Sequence, residues 1–569
     1  SFSTGPAMNQ LSGAEAFLRM LQRHGVTHVF GLCGDTSLPL YDALARLDHG
    51  ITHILTRDER SAAYMADGYA RISGRVGVCE GPSGGGATYI LPGVAEANES
   101  SVPLLAVTTD ISTTSRGRFT LTELDQAALF RPVTKWNRVI DRAAAIPQTL
   151  RSAFTQMTTG RPGAVHLGLP FDVQKDPVDE ADVWADPALN QCPASRTAPD
   201  PDAVDAAVER IAKAKAPIFI CGGGVLISGA EGELAALAEL LGAAVVTSIS
   251  GQGSLPETHP LCAGVVGSNG GTAPTRAVVD AADLVIFVGC RAGSVTTERW
   301  RHPKPGTPVV HIDVDAAVMG ANYRAEVALI GDARLGLAAL REGLQRRGRK
   351  ANGAWAIEPV VRAKRDKDAA FRELAQSDAT PIRPERLVAE LQAVLPDDSI
   401  VVADPGTPCP YLSAYYEIRR PGRHLITNRA HGALGYSLPA VIGAYYARPT
   451  VKCVAVMGDG AFGFSVGELE TLMRLNLPIT LIVISNSGYG WIKAGQRTGF
   501  GGRYHQVDFT TSDHGKIAAA YGLKSWRVTQ PAELRRALQA AVEAGGPTLV
   551  DVVTQPLHEA RAPVSEWVV

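Results

Sequence analysis

The sequence predicts an α/β protein built from three doubly wound parallel-sheet domains. Short apolar runs alternate with amphipathic helical patterns along the whole chain, which argues for parallel sheets covered on both faces. Two stretches without hydrophobic period, 177–202 and 346–378, split the chain into three parts of similar length. The 569 residues suit about three domains at roughly 100–200 residues each. The domains are expected over residues 8–176, 203–345 and 380–556, followed by a tail over 557–569.

In the first part, Ser12 followed by Glu15 is a capping box. Ala14, Phe17, Leu18 and Leu21 then form one helical face, Gly25 ends the helix, and THVFGL follows as a strand. The stretch 177–202 is rich in Pro and Asp and reads as a linker. The second part carries the strand runs PIFIC, AAVVTSI, DLVIFVG and PVVHIDVD. The stretch 346–378 is basic and loosely patterned, with room for a short helix but no core. The third part has SIVVADPG, VKCVAVMGDG, TLIVISN and TLVDVVTQ. Parallel sheets bind ligands beyond the carboxyl ends of their strands, so the loops there are where chemistry is expected.

Composition narrows the function classes. Apolar residues make up 45% and charged residues 20%, an ordinary globular mix. The net charge of −2 gives no reason to expect nucleic acid or a membrane surface as partner. No apolar run approaches the ~18 residues of a membrane span, and the start lacks a signal-peptide pattern. The eight cysteines are widely spaced with no C-x-x-C, as expected of small buried hydrophobes in a reducing cytoplasm. Residues 1–7, ahead of Met8, read as an expression scar.

The most informative segment is GDGAFGFSVGELETLMRLNLPITLIVISNSGYG, from Gly458. A strand ends in Gly458-Asp459-Gly460. A helix with Val466, Leu469, Leu472 and Met473 on its apolar face follows, and a second strand ends in Asn486-Ser487-Gly488. Both strand ends deliver polar groups to one edge of one sheet. The Asp459 carboxylate, the Asn486 amide oxygen and the Gly488 carbonyl form an oxygen set suited to a hard divalent cation, completed by phosphate and water. The glycines allow close approach of a diphosphate, whose charge a helix N-terminus also favours.

This segment resembles the GDG…N motif of thiamine diphosphate enzymes. The resemblance covers nearly the whole chain. It is to the group containing acetolactate synthase, pyruvate decarboxylase, benzoylformate decarboxylase and oxalyl-coenzyme A decarboxylase, and above all to acetolactate-synthase-like proteins. It implies a pyrimidine-binding first domain, a central Rossmann-like domain and a diphosphate-binding third domain. By resemblance Asp459, Asn486 and Gly488 would hold Mg²⁺. Gly458, Gly460, Ala461 and Tyr489, with Gly406 and Thr407 after the strand SIVVAD, would contact the cofactor. TRDERSAAYMADGYAR, residues 56–71, looks like the family stretch whose glutamate activates the cofactor at the pyrimidine N1′, here Glu59. RAHGALGYSLPAVIGA resembles the segment beneath the cofactor: Leu434 would wedge between its rings, and the Gly432 carbonyl would accept from the 4′-amino group.

The substrate side departs from the relatives. Asp35 falls where pyruvate decarboxylase has a catalytic aspartate, and Thr122 stands where acetolactate synthases have glutamine. Gly495 replaces a tryptophan of that family, and Trp491 a smaller residue. Thr122, Trp491, Gly495 and Gln496 are therefore the expected substrate pocket, and Asp35 and His431 the expected proton-transfer groups. The resemblance implies a 2-oxo acid decarboxylase/carboligase that works through a C2 carbanion and an enamine. The alternatives are an acyl-coenzyme A lyase or decarboxylase, or a non-catalytic cofactor-binding relative. The glycine run 222–224 is a weak nucleotide signal, and some relatives bind FAD or the ADP part of coenzyme A in this domain. A homodimer or homotetramer, a small carbonyl substrate and a tail closing over the site mouth, with Arg561 and Trp567, complete the expectation.

Overall fold

A computed structural model describes residues 9–351 and 353–567; residues 1–7, read as an expression scar, and Met8 lie outside the described residues. Each part of the chain folds around a six-stranded sheet. In the first sheet the spatial order is Thr52–Leu55, His28–Gly31, Gly77–Gly81, Leu104–Asp110, Ala164–Pro170 and Trp136–Val139, all parallel. The central sheet runs Cys262–Val265, Ala244–Thr247, Pro217–Cys221, Leu284–Val288, Val309–Asp313 and Ala325–Ile330. The third runs Leu425–Thr427, Ile400–Ala403, Cys453–Gly458, Ile479–Ser485, Thr548–Val553 and Lys524–Val528. Both are parallel throughout.

In each sheet the winding reverses beside the first strand of its part. That leaves a crevice at the carboxyl edge, where such sheets bind ligands. In the first sheet it opens between His28–Gly31 and Gly77–Gly81, and in the third between Ile400–Ala403 and Cys453–Gly458. The inner strands Pro217–Cys221, Leu284–Val288 and Ile479–Ser485 are buried at every position, which is why they read as continuous apolar runs.

The chain forms two compact units. The first holds the first sheet with Ala430–Ala433 and Pro439–Pro449. The second holds the central and third sheets with the remaining segments. In the first unit, Ser12 and Glu15 make the capping box, and Gly25 follows the helix in a left-handed conformation (φ +80°). The helix Glu59–Ser73 lies so close to residues 439–449 that a Cβ on Gly68 would collide with the Ala440 carbonyl, and one on Gly443 with that of Met65.

Three local readings differ from the structure. Within 177–202, Pro177–Asp179 pairs antiparallel with Gln10–Ser12, tying the end of the first part to its beginning. Within 346–378 lies a 19-residue helix, Ile357–Ala375, and Val360 and Ala363 from it join the central core. Its buried stripe is narrow and made of small residues, so the charged solvent face hid the period. The segment after Asp459 forms two short helices, Asp459–Ser465 and Glu468–Arg474, with the poor helix former Gly467 at the break.

Candidate functional site

The second unit brings Asp459 and Asn486 together, because their strands are parallel neighbours that end side by side. Asp459 is 5% exposed. Its Oδ2 accepts from the backbone N–H of Asn486 (3.0 Å) and of Ser487 (2.7 Å), and its Oδ1 from Gly460 N–H (3.0 Å). Burial pushes the carboxyl up, and the three amides oppose that. Ser487 holds φ +57° to turn the chain toward Gly488. Asn486 Nδ2 and Thr407 Oγ1 converge over Gly490, each within 3.3 Å of where its Cβ would stand. The Tyr489 ring lies over Gly460, in the place a Cβ would take. Gly406 (φ +92°) and Gly458 have nothing within 4 Å of a Cβ position, so both leave open space at the crevice. Ala461 is buried at the start of the short helix.

Asp404, next after Ile400–Ala403, was not among the expected site residues. Its fully buried carboxylate accepts from the N–H groups of Gly435, Tyr436 and Ser437, each at 2.9 Å, and from the Ser437 hydroxyl. It fixes the backbone that carries Leu434. The signal was an Asp ending an apolar strand; its partners are 31–33 residues away.

The first unit positions Glu59 at the first turn of Glu59–Ser73, which Asp58 caps. Glu59 is 8% exposed, and burial raises its carboxyl above the usual range. Its Cγ lies 3.3 Å from the Cβ position of Gly81, and its Oε1 lies 3.4 Å from that of Gly86, so two glycines make room for it. Gly432 (φ +74°) also has open space above it. The segment before it is held by Glu96, a second residue outside the expected set. Glu96 accepts from Ala430 N–H (3.3 Å) and His431 N–H (2.5 Å), and pairs with Arg71 (3.1 Å), which also reaches Asp67. Burial opposes ionisation of Glu96, but Arg71 and the amides outweigh it and hold the carboxyl below its usual range.

Asp35 is exposed, and its side chain accepts from Thr36 N–H at the start of the single helical turn Asp35–Ser37. The His431 side chain is exposed in this unit. Thr122 holds φ +70° against Gly84, and its hydroxyl meets Ser83 (2.7 Å), which continues to Thr36 and Thr109 in a chain of hydroxyls. Trp491 leans on the third core and meets Trp567 edge to face at 4.9 Å, its Nε1 donating to the Trp567 carbonyl. Gly495 lies under Trp567. Both ends of the Gln496 amide are bonded to the His505 backbone. The tail is docked: Val564 bridges to Asn269, and Glu566 pairs with Arg299 and Arg301. Arg561 is exposed. The glycine run of the central sheet is explained by packing. Gly222 and Gly224 donate to the carbonyls of Val288 and Gly289, and a Cβ on either would collide with the Gly289 loop. Those amides are therefore engaged and do not face a phosphate. The eight cysteines are free, and six are buried. No helix among the described residues is long and apolar enough to cross a membrane.

Comparison with known proteins assigns this architecture. Residues 11–129 match the N-terminal TPP binding domain of thiamine pyrophosphate enzymes, 204–340 their central domain, and 404–552 their C-terminal TPP binding domain. The chain belongs to the thiamine pyrophosphate enzyme family, in its acetolactate-synthase-like group. It is 36% identical over 555 residues to the probable acetolactate synthase large subunit of Methanocaldococcus jannaschii, covering 96% of this chain and 92% of that one. It is 31% identical over 544 residues to the acetolactate synthase isozyme 3 large subunit of Escherichia coli, covering 94% and 93%. The residues fit the cofactor on local grounds. The Asp459 edge offers one carboxylate with neutral oxygens, enough for a cation whose charge a diphosphate helps to balance. Among the described residues no cluster of three or more His, Cys, Asp or Glu forms a rival metal centre.

Proposed function

We propose that this protein is a thiamine diphosphate-dependent 2-oxo acid decarboxylase/carboligase, similar to acetolactate synthase and active as a homodimer or homotetramer. The observation that carries the reading is the Asp459–Asn486 edge, where one buried carboxylate ties two adjacent strand ends beside open glycines. When bound, the cofactor supplies an electron sink for breaking or making a carbon–carbon bond next to a carbonyl.

The chain's residues do the rest. Asp459, the Asn486 side chain and the Gly488 carbonyl would hold Mg²⁺. Gly406, Thr407, Gly458, Gly460, Ala461 and Tyr489 would border the diphosphate. Glu59 would exchange a proton with the pyrimidine N1′, and the burial that raises its carboxyl suits proton sharing over a fixed charge. Leu434 would hold the cofactor bent, with the Gly432 carbonyl accepting from its 4′-amino group. Asp35 and His431 are the proton-transfer groups we assign, and Thr122, Trp491, Gly495 and Gln496 shape the substrate pocket, with the docked tail at its mouth. The two half-sites would come from different copies of the chain.

A screen of 2-oxo acids and acyl-coenzyme A esters with thiamine diphosphate and Mg²⁺, read by product mass spectrometry, tests the reading. A condensed 2-hydroxy-3-oxo acid supports it. Cleavage of an acyl-coenzyme A alone replaces it with the acyl-coenzyme A lyase reading.

A further inference from the structure

Five hydroxyls form an unbroken chain at the carboxyl edge of the first sheet. Thr36 and Ser37 follow the strand His28–Gly31, Ser83 follows Gly77–Gly81, and Thr109 lies at the end of Leu104–Asp110. These three strands are neighbours, so the chain crosses the crevice between the first two. Ser37 meets Thr109 (2.9 Å), Thr109 meets Thr36 (2.8 Å), Thr36 meets Ser83 (3.1 Å), and Ser83 meets Thr122 (2.7 Å). The first four are buried. Thr122 is half-buried, between the exposed Leu121 and Glu123. The chain therefore runs from the interior out to the surface of the crevice.

Each hydroxyl has one proton and two lone pairs, and that count gives the chain a direction. The Thr36 hydroxyl donates to Ser83, and its oxygen accepts from the Ser83 N–H (3.2 Å). With its one proton spent, Thr36 accepts from Thr109, and Thr109 in turn accepts from Ser37. At the other end Ser83 gives its own proton to Thr122. The Thr122 proton is left over, with no partner among the described residues. Each bond polarises the next, so Thr122 is a stronger donor than an isolated hydroxyl. It is also held in place. Thr122 takes φ +70°, a strained conformation for a β-branched side chain, with its Cβ 2.8 Å from where a Gly84 Cβ would stand. The next residue, Gly85, has open space above it. Gly81 and Gly86 of this same loop make room for Glu59, so the hydroxyl and that carboxyl border one loop.

We propose that the Thr122 hydroxyl donates a hydrogen bond to the carbonyl oxygen of the 2-oxo acid, with Ser83 and Thr36 as the positioning residues that turn its proton toward the substrate. This rests on the function proposed above. The carbonyl oxygen gains negative charge as its carbon is attacked, and a donor already aimed at it stabilises that charge without reorganising. The carboxylate is charged throughout, so a donor placed there would bind substrate without speeding the step. The proton stays on Thr122.

The test measures CO₂ release from pyruvate by the holoenzyme, with thiamine diphosphate affinity read separately by calorimetry. In Thr122→Val kcat should fall about 30-fold or more. KM and the cofactor dissociation constant should stay within about 3-fold. Thr122→Ser keeps the donor and should recover most of the rate. Thr36→Val frees the Ser83 oxygen to accept from Thr122, which turns that proton inward, and kcat should fall about 3- to 10-fold. In a Thr122→Val background the same change should cost nothing further, because the proton it redirects is gone. Losses that simply multiply in the double variant, or a Thr122→Ser as slow as Thr122→Val, would make the chain a structural brace and overturn the proposal. A raised KM at unchanged kcat would assign Thr122 to the carboxylate and also overturn it. Active wild type with an equally active Thr122→Val defeats this inference alone. Wild-type protein that turns over no 2-oxo acid defeats the underlying reading, and this one with it.

Discussion

Glu96→Gln isolates the device that holds the segment bearing Gly432. The glutamate places Oε1 on Arg71, Ser100 and Ala430 N–H, and Oε2 on His431 N–H. Glutamine keeps one acceptor and puts an amide donor in place of the other. If the donor faces His431, that N–H loses its acceptor, at about 1–3 kcal/mol. Arg71 keeps Asp67 at 2.7 Å, so losing the charge on Glu96 costs only about 1 kcal/mol more. The sum is about 2–4 kcal/mol, and at ~1.4 kcal/mol per tenfold the Ala430 and His431 amides should exchange with solvent on the order of 100-fold faster. Hydrogen exchange read by mass spectrometry on the fragment covering 430–433 measures this, with the strand Leu104–Asp110 as internal reference. The sign with pH follows from the depressed carboxyl. Glu96 contributes fully above its ordinary value of 4.5, and the contribution fades as pH falls through the lower folded value. The difference between wild type and variant should therefore be complete at pH 7 and shrink below about 4.5. Equal exchange of 430–433 in both proteins at pH 7 would refute the reasoning.

Other expectations follow from the same geometry. Asp459→Ala should raise the Mg²⁺ concentration needed for half-maximal activity by about tenfold or more, read by metal titration at saturating cofactor. Mixing Glu59→Gln with Asp459→Ala subunits and letting them exchange should restore about a quarter of wild-type activity, because half of the dimers then carry one intact site. No recovery would place both half-sites on one subunit. Trp567→Ala removes an edge-to-face pair worth about 0.5–1.5 kcal/mol beyond its buried area. Trypsin cleavage after the exposed Arg561 should then quicken by about 3- to 10-fold in timed digests.

What the sequence disclosed depended on where the partners lie. Asp459 and Asn486 were legible because the strand–helix–strand between them fixes both on one edge. The partners of the capping box, Ser12 and Glu15, lie only three positions apart, and it too was plain. Asp404 was missed because its three amide partners are far along the chain and carry no side-chain signature. Glu96 is a different case: a carboxylate inside the apolar helix Gly85–Glu99 is itself a sign of a buried partner. The helix Ile357–Ala375 was hidden because a stripe of valine and alanine carries little hydrophobic contrast against a charged face. The glycine run 222–224 was a weak signal for the opposite reason, since close packing of two backbones demands glycine as firmly as a phosphate does.

The central claim is that buried Glu59 activates a thiamine diphosphate bound by this chain. It is tested most directly by CO₂ release from pyruvate, measured with and without thiamine diphosphate and Mg²⁺, for wild type and Glu59→Gln. Cofactor-dependent release by wild type and a fall of about 10²- to 10⁴-fold in the variant, with cofactor still bound, is the predicted result. Turnover by Glu59→Gln equal to wild type, or release that does not depend on the cofactor, would contradict the account.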